Sequence, residues 1–216
     1  LTGIALFFVT IKIAELITNN RFIMPQQLVL ASTSPFRKQL LEKLHLSFLT
    51  EKPNVDETAF SGETAQQLVE RLAIEKAQAI TPNFDDALVI GSDQVCMNNG
   101  EILGKPGNFE NAFQQLKAAS GKSITFYTGL AVVNSKTGNI QSLVERYVVK
   151  FRVLNDAMIT NYLNKEQPYN CAGSFKSEGY GISLFDAFEG KDPNSLIGLP
   201  LISLIKMLEN EGMQVV

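Results

Sequence analysis

Histidine and cysteine are almost missing from this 216-residue chain, which has one of the first and two of the second. Cys96 and Cys171 stand far apart, form no CxxC pair and have only His45 to join them, so neither a zinc centre nor a disulfide framework is expected. A reducing cytoplasm fits this cysteine usage. His45 closes a leucine-rich helical stretch, where a structural role is expected. Basic excess is also missing: 19 Lys and Arg face 22 Asp and Glu, a formal charge of −3. No basic stripe compensates, which argues against a general nucleic-acid partner. The GxxxxGK[ST] phosphate loop does not occur. Low-complexity tracts are absent, and 45% hydrophobic residues can supply a real core, so a folded body is expected rather than disorder.

A long uninterrupted apolar run is lacking as well. The most apolar stretch, residues 1–20, is broken by Lys12 and Glu15, short of the roughly 20-residue span that a membrane helix needs. It carries neither the basic leader nor the small-residue cleavage site of a secretory signal. Met24 immediately precedes the first credible strand. The expectation is therefore that translation starts there, that residues 1–23 are an extension outside the native protein, and that 24–216 form the domain. An amphipathic helix lying on the domain or on a membrane surface is the alternative.

What the chain does have is concentrated first in LVLASTSPFRKQLL, residues 28–41. An apolar strand runs into Ser32, Thr33 and Ser34; Ser34 can cap the following helix, Pro35 suits its first turn, and Phe36, Leu40, Leu41 and Leu44 recur at helical spacing. Free backbone N–H groups, hydroxyls and the Arg37 guanidinium would then meet at one helix N-terminus, the chemistry a phosphate needs. A well-capped strand-to-helix turn with no ligand is the other reading.

Beyond it, the pattern predicts a short strand over 47–50, a polar loop carrying Asp56 and Glu57, and a helix over about 63–80. A strand over 87–90 ends in Gly91, Ser92 and Asp93, followed by a hairpin over 95–103 and a helix over about 109–119. Two long antiparallel strands are expected over 123–134 and 140–153. A helix capped by Asn155, a loop over 167–181, a strand around 182–185, a GKDPN loop and a last helix opened by Pro200 complete the chain. No Ser/Gly linker divides it, so one mixed α/β body with two lobes around a cleft is the simplest architecture.

Two polar residues break the apolar pattern. On the helix over 63–80 the stripe is Ala65, Leu68, Val69, Leu72, Ala73, Ala77 and Ile80, and at about 100° per residue Lys76 falls in its middle. Its ammonium must reach water or meet an anion, a ligand or a carboxylate. Asp93 follows a buried strand, where open α/β sheets bind ligands, although a turn or cap is the commoner duty of such an Asp. Glu57 could add a second carboxylate, and the two would suit Mg²⁺ or Mn²⁺ beside phosphates. Lys105 and Lys176 add positive charge from loops.

These pieces, taken in order, resemble the Maf family of nucleotide pyrophosphatases. The resemblance rests on LVLASTSPFRKQLL, PNVDE at 53–57, RLAIEKA at 71–77, IGSDQV at 90–95, GKP at 104–106, FYTGLAV at 126–132 and CAGSFKSEGYG at 171–181. GSDQV together with CAGSFKSEG is similar to the branch that hydrolyses 7-methyl-GTP rather than dTTP and UTP. The resemblance implies a mixed sheet with helices on both faces, two lobes around an active-site cleft, related to the inosine triphosphate pyrophosphatases, and a divalent cation, Mg²⁺ or Mn²⁺. It also implies a homodimer. Asp93 becomes the water-activating base and a metal contact, and Glu57 a metal ligand. Ser32, Ser34, Arg37, Lys76 and Lys105 become substrate-binding residues, with Phe36, Gln94 and Glu178 setting base specificity. Phe36 stands where that branch has a tryptophan; it keeps the stacking surface with a weaker cation–π face. A broader pyrophosphatase and a non-catalytic nucleotide-binding regulator of cell division are the competing expectations.

Overall fold

The computed structural model describes residues 26–216, so the expected extension over 1–23 lies outside the described residues. Strand β1 (Gln27–Ala31) is apolar on both faces, as a strand covered on both sides must be. It pairs in parallel with β2 (Leu49–Glu51) on one side and with the first residues of β3 (Ala87–Asn98) on the other. β3 then continues as the antiparallel partner of β5 (Ser123–Asn134) and turns back through Asn99 and Gly100 into β4 (Glu101–Leu103). Both turn residues have positive φ, 51° and 86°, the requirement of a tight hairpin whose twist matches its strands. β6 (Ile140–Phe151) and β7 (Phe185–Glu189) extend the antiparallel side, giving a seven-stranded mixed sheet in the order β2-β1-β3-β5-β6-β7 with β4 beside β3.

Helices cover both faces, as expected. On one face α2 (Ala65–Ile80) buries Leu68, Val69, Leu72, Ala73, Ala77 and Ile80. On the other, α1 (Pro35–Glu42) and α6 (Leu201–Asn210) pack Leu40, Leu41, Leu204 and Leu208 against Leu28, Leu30, Leu88, Ile90, Leu130 and Val132. The far ends of the long strands form a second core, in which Ile124, Phe126, Val149 and Phe151 meet Leu116 of α3 (Phe109–Ala119) and Ile159, Tyr162 and Leu163 of α4 (Asp156–Glu166). The sheet thus carries one apolar cluster where β1 and β3 meet α1 and α6 and another at the far ends of β5 and β6, and these mark the two lobes.

Two glycines set how closely α2 lies on the sheet. A Cβ on Gly91 would stand 1.9 Å from the Ala73 carbonyl oxygen, and one on Gly129 would stand 2.0 Å from that of Val69. Helix backbone therefore rests on strand backbone, which draws Lys76 onto β3.

Four expectations shift. Asp93 does not end a strand: only Ala87–Ile90 pair with β1, and antiparallel pairing with β5 carries β3 on to Asn98. The strand expected at 182–185 is a 3₁₀ segment, Tyr180–Leu184, because Gly181 lies against the Lys176 backbone in a tight turn; β7 begins only at Phe185. GKDPN is no plain loop, since Asp192 caps the short α5 (Pro193–Ile197) by accepting from Asn194 N, with Pro193 in the first turn. Helix α2 starts at Ala65, two residues late, because Thr64 and Gln67 form a capping box.

Candidate active site

β1 ends at Ala31 and delivers Ser32, Thr33 and Ser34 to the N-terminus of α1. Ser32 is buried, and its hydroxyl accepts from Ser34 N at 3.1 Å. Ser34 caps α1 by accepting from Arg37 N at 3.4 Å. The Arg37 Nε donates to the Gly198 carbonyl at 2.9 Å, and Ser92 Oγ donates to the same oxygen at 2.9 Å. Burial pushes the Arg37 guanidinium down from its ordinary pKa, while the charges of Asp93 and Glu57 work in the opposite direction.

Lys76 explains its place in the apolar stripe. It is 6% exposed, and its Nζ reaches Asp93 Oδ1 at 2.7 Å and Glu57 Oε1 at 2.6 Å. The ammonium meets carboxylates rather than water, the arrangement a buried charge requires. Asp93 is buried beside it, whereas the Glu57 side chain is 62% exposed at the edge of the cleft. The hydrogen bond from Lys76 holds the Glu57 carboxyl below the usual range; burial opposes this, and the charges of Lys76, Arg37 and Lys105 reinforce it.

A cleft of about 760 Å³ lies between the lobes, and all ten site residues expected from sequence line it: Ser32, Ser34, Phe36, Arg37, Glu57, Lys76, Asp93, Gln94, Lys105 and Glu178. The lining contains five cations, Arg37, Lys52, Lys76, Lys105 and Lys176, against three carboxylates. A protein of net negative charge has thus gathered a local positive excess, the field an anionic ligand follows.

The opposite wall is differently made. Gln94 Nε2 donates to Thr128 Oγ1 at 2.9 Å and to the Ser195 carbonyl at 2.7 Å. A carbonyl can only accept, so the amide nitrogen faces these partners and Oε1 is left as an acceptor for the cleft. Glu178 is exposed, Phe36 half-buried. Lys52, Cys171, Phe126, Phe175 and Leu196 also line the cleft, and no sequence pattern places them there. Lys52 sits next to a three-residue strand and interrupts no pattern, so nothing in the sequence marks it. Lys176 carries a weaker signal and is tied to Glu166 Oε1 at 3.1 Å.

Among the described residues no three His, Cys, Asp or Glu side chains gather into a metal-binding group. Glu57 and Asp93 supply hard oxygen donors, and one oxygen of each is already paired with the Lys76 ammonium that lies between them. Such a pair fits Mg²⁺ or Mn²⁺ only when phosphate and water supply the other ligands, the usual habit of Mg²⁺ at phosphate sites.

A "7-methyl-GTP pyrophosphatase" of Vibrio vulnificus (strain CMCP6) is 62% identical over 189 residues, 88% of this chain and 97% of that protein. A protein of the same name from Colwellia psychrerythraea (strain 34H / ATCC BAA-681) is 61% identical over 188 residues, 87% and 94% of the two chains. In fold, the Staphylococcus aureus Ham1 protein superposes with a TM-score of 0.52 at 16% identity, covering 86% of this chain and 100% of its own. The family model described as "Maf-like protein" matches residues 27–211, and with these relatives it establishes that the chain belongs to the Maf-like family.

Proposed function

We propose that this chain hydrolyses 7-methyl-GTP to 7-methyl-GMP and pyrophosphate. The observation that carries the reading is the Lys76 ammonium held between Asp93 and Glu57 beside the hydroxyl loop and helix N-terminus of α1. The names of the two relatives supply the substrate.

Asp93 accepts a proton from water as the water oxygen attacks the α-phosphorus. A new P–O bond forms there, the bond from the α-phosphorus to the α–β bridging oxygen breaks, and the electron pair leaves with pyrophosphate. Ser32, Ser34 and the α1 N-terminus hold the phosphate chain. Arg37, Lys76 and Lys105 oppose the charge that builds on the leaving group. Glu57 and Asp93 are the residues that would hold a Mg²⁺ or Mn²⁺ ion, which supplies charge neutralisation at the phosphates when bound.

The base side follows from chemistry. A 7-methylguanine ring carries positive charge, which an aromatic face at Phe36 and a carboxylate at Glu178 both favour. Gln94 Oε1 and Glu178 are acceptors, and the guanine edge offers an amino donor. Cytoplasmic location and a homodimer belong to the same proposal. Among the described residues no helix is long and apolar enough to cross a membrane.

Pyrophosphate release from 7-methyl-GTP, GTP, dTTP, UTP and ITP, each with Mg²⁺ or Mn²⁺, tests the reading. A clear excess on 7-methyl-GTP is expected. Release spread evenly over the bases would remove the specificity, and release from none would remove the enzyme in favour of a nucleotide-binding regulator.

A further inference from the structure

Residues 52–64, which carry Glu57, join β2 to α2 with no regular element beyond one turn, and none of their apolar residues is buried; the Glu63 side chain, 8% exposed, is covered where it meets Arg71. Apolar packing therefore cannot fix Glu57 where Lys76 meets it. One side chain gathers the far half of this loop. Arg71, projecting from α2, places its Nε 2.7 Å from Glu63 Oε1 and one terminal nitrogen 2.8 Å from Glu63 Oε2. That same terminal nitrogen donates to the carbonyl of Thr58, next to Glu57, at 3.1 Å. The Phe60 ring lies 4.0 Å from the guanidinium carbon, and Phe60 N donates to Glu63 Oε2 at 2.9 Å. Asp56 Oδ1 accepts from Thr58 N at 3.0 Å, tightening the turn around Glu57. The planar fork of an arginine can hold a carboxylate, a carbonyl and a ring at once; a lysine cannot.

We infer that Arg71 is a positioning residue for the reaction, a clamp that fixes the Thr58–Glu63 segment to α2 and so holds Glu57 at the Lys76–Asp93 pair. Arg71 does not line the cleft; it acts through Glu57. The inference rests on the proposed hydrolysis and on Glu57 taking part in it.

A double-mutant cycle on the full chain tests it, with Arg71→Gln, Glu57→Gln and the pair compared by pyrophosphate release. Arg71→Gln is expected to lower kcat about tenfold, the order of loss a displaced catalytic group produces, with KM for the nucleotide changed less than about twofold. In the Glu57→Gln background the same substitution should change kcat by less than about twofold, because residues acting as one unit do not add. Glu63→Gln, which leaves Arg71 in place, should give the same signature at smaller size and carries the test if Arg71→Gln does not fold. Wild-type kcat in Arg71→Gln, or the same fold-loss in both backgrounds, would overturn the clamp while leaving the enzyme reading intact. A wild type that releases no pyrophosphate overturns the reading itself and the clamp with it.

Discussion

The two walls of the cleft are built on opposite plans. One wall, where β1, β3, α1 and α2 meet, buries its polar groups: Ser32, Lys76, Ser92 and Asp93 are all buried, and α2 rests directly on the sheet at Gly91 and Gly129, while Glu57 reaches it from the irregular 52–64 loop. The other wall is made of short turns. Residues 167–184 include positive φ at Gln167, Gly173 and Ser174, two 3₁₀ segments and an exposed Glu178. Groups that must meet a reacting phosphorus need sub-ångström placement, which helices and strands provide. Groups that select a base can sit on loops, where replacement disturbs little else. In the proposed function the reacting phosphate meets the first wall and Glu178 brings base selection to the second, with Phe36 of α1 and Gln94 of β3 joining the two.

That separation can be broken from either side. The largest effect is expected at Lys76. Lys76→Met should lower kcat by about 10³-fold, the scale set by losing a charge that stabilises the transition state. It also removes the main cause of the depressed Glu57 carboxyl. In the wild type that depression adds stability above the ordinary carboxylate range, lost as pH falls through the folded value; the acid side of an unfolding profile against pH should flatten in the variant. An unchanged profile would separate Glu57 from Lys76.

Next comes the contact that seats α2. Gly129→Ala puts a methyl group 2.0 Å from helix backbone, so urea unfolding should show about 3 kcal/mol of lost stability, at the upper end of overpacking costs. A loss below about 1 kcal/mol would mean that α2 moves away freely, and kcat should then fall because Lys76 moves with it. Smallest and most selective is Glu178→Lys, expected to reduce 7-methyl-GTP turnover about tenfold more than GTP turnover, since a cation now faces a cationic base. Equal losses on both would put base selection elsewhere.

The Lys76–Asp93 side of the cleft was largely legible in the sequence, and for a physical reason. A lysine inside an apolar stripe contradicts its periodicity, and a carboxylate after a buried strand falls where open sheets bind ligands, which marks Lys76 and Asp93 without any comparison. Ser34 and Pro35 announce α1 by capping chemistry alone. Phe36, Gln94 and Glu178 left no such trace: only the resemblance singles them out, because an aromatic on a helix turn or a glutamate on a loop breaks no pattern. Lys52 escaped altogether for the same reason. Strand limits failed where pairing changes partner within one strand, as at Asp93, and where a glycine turn displaces the start of β7. Arg71 stood inside the quoted RLAIEKA segment, yet its duty depends on a fold that returns Thr58, Phe60 and Glu63 to one guanidinium, and sequence spacing cannot show that.

The proposed activation of the attacking water by Asp93 is decided by comparing wild type and Asp93→Asn for pyrophosphate release from 7-methyl-GTP, with nucleotide binding measured on the same preparations by calorimetry. A kcat loss of about 10²–10⁴-fold is expected in the variant, the range a general base contributes, with nucleotide affinity within about threefold of wild type. Comparable turnover in the two proteins would contradict it.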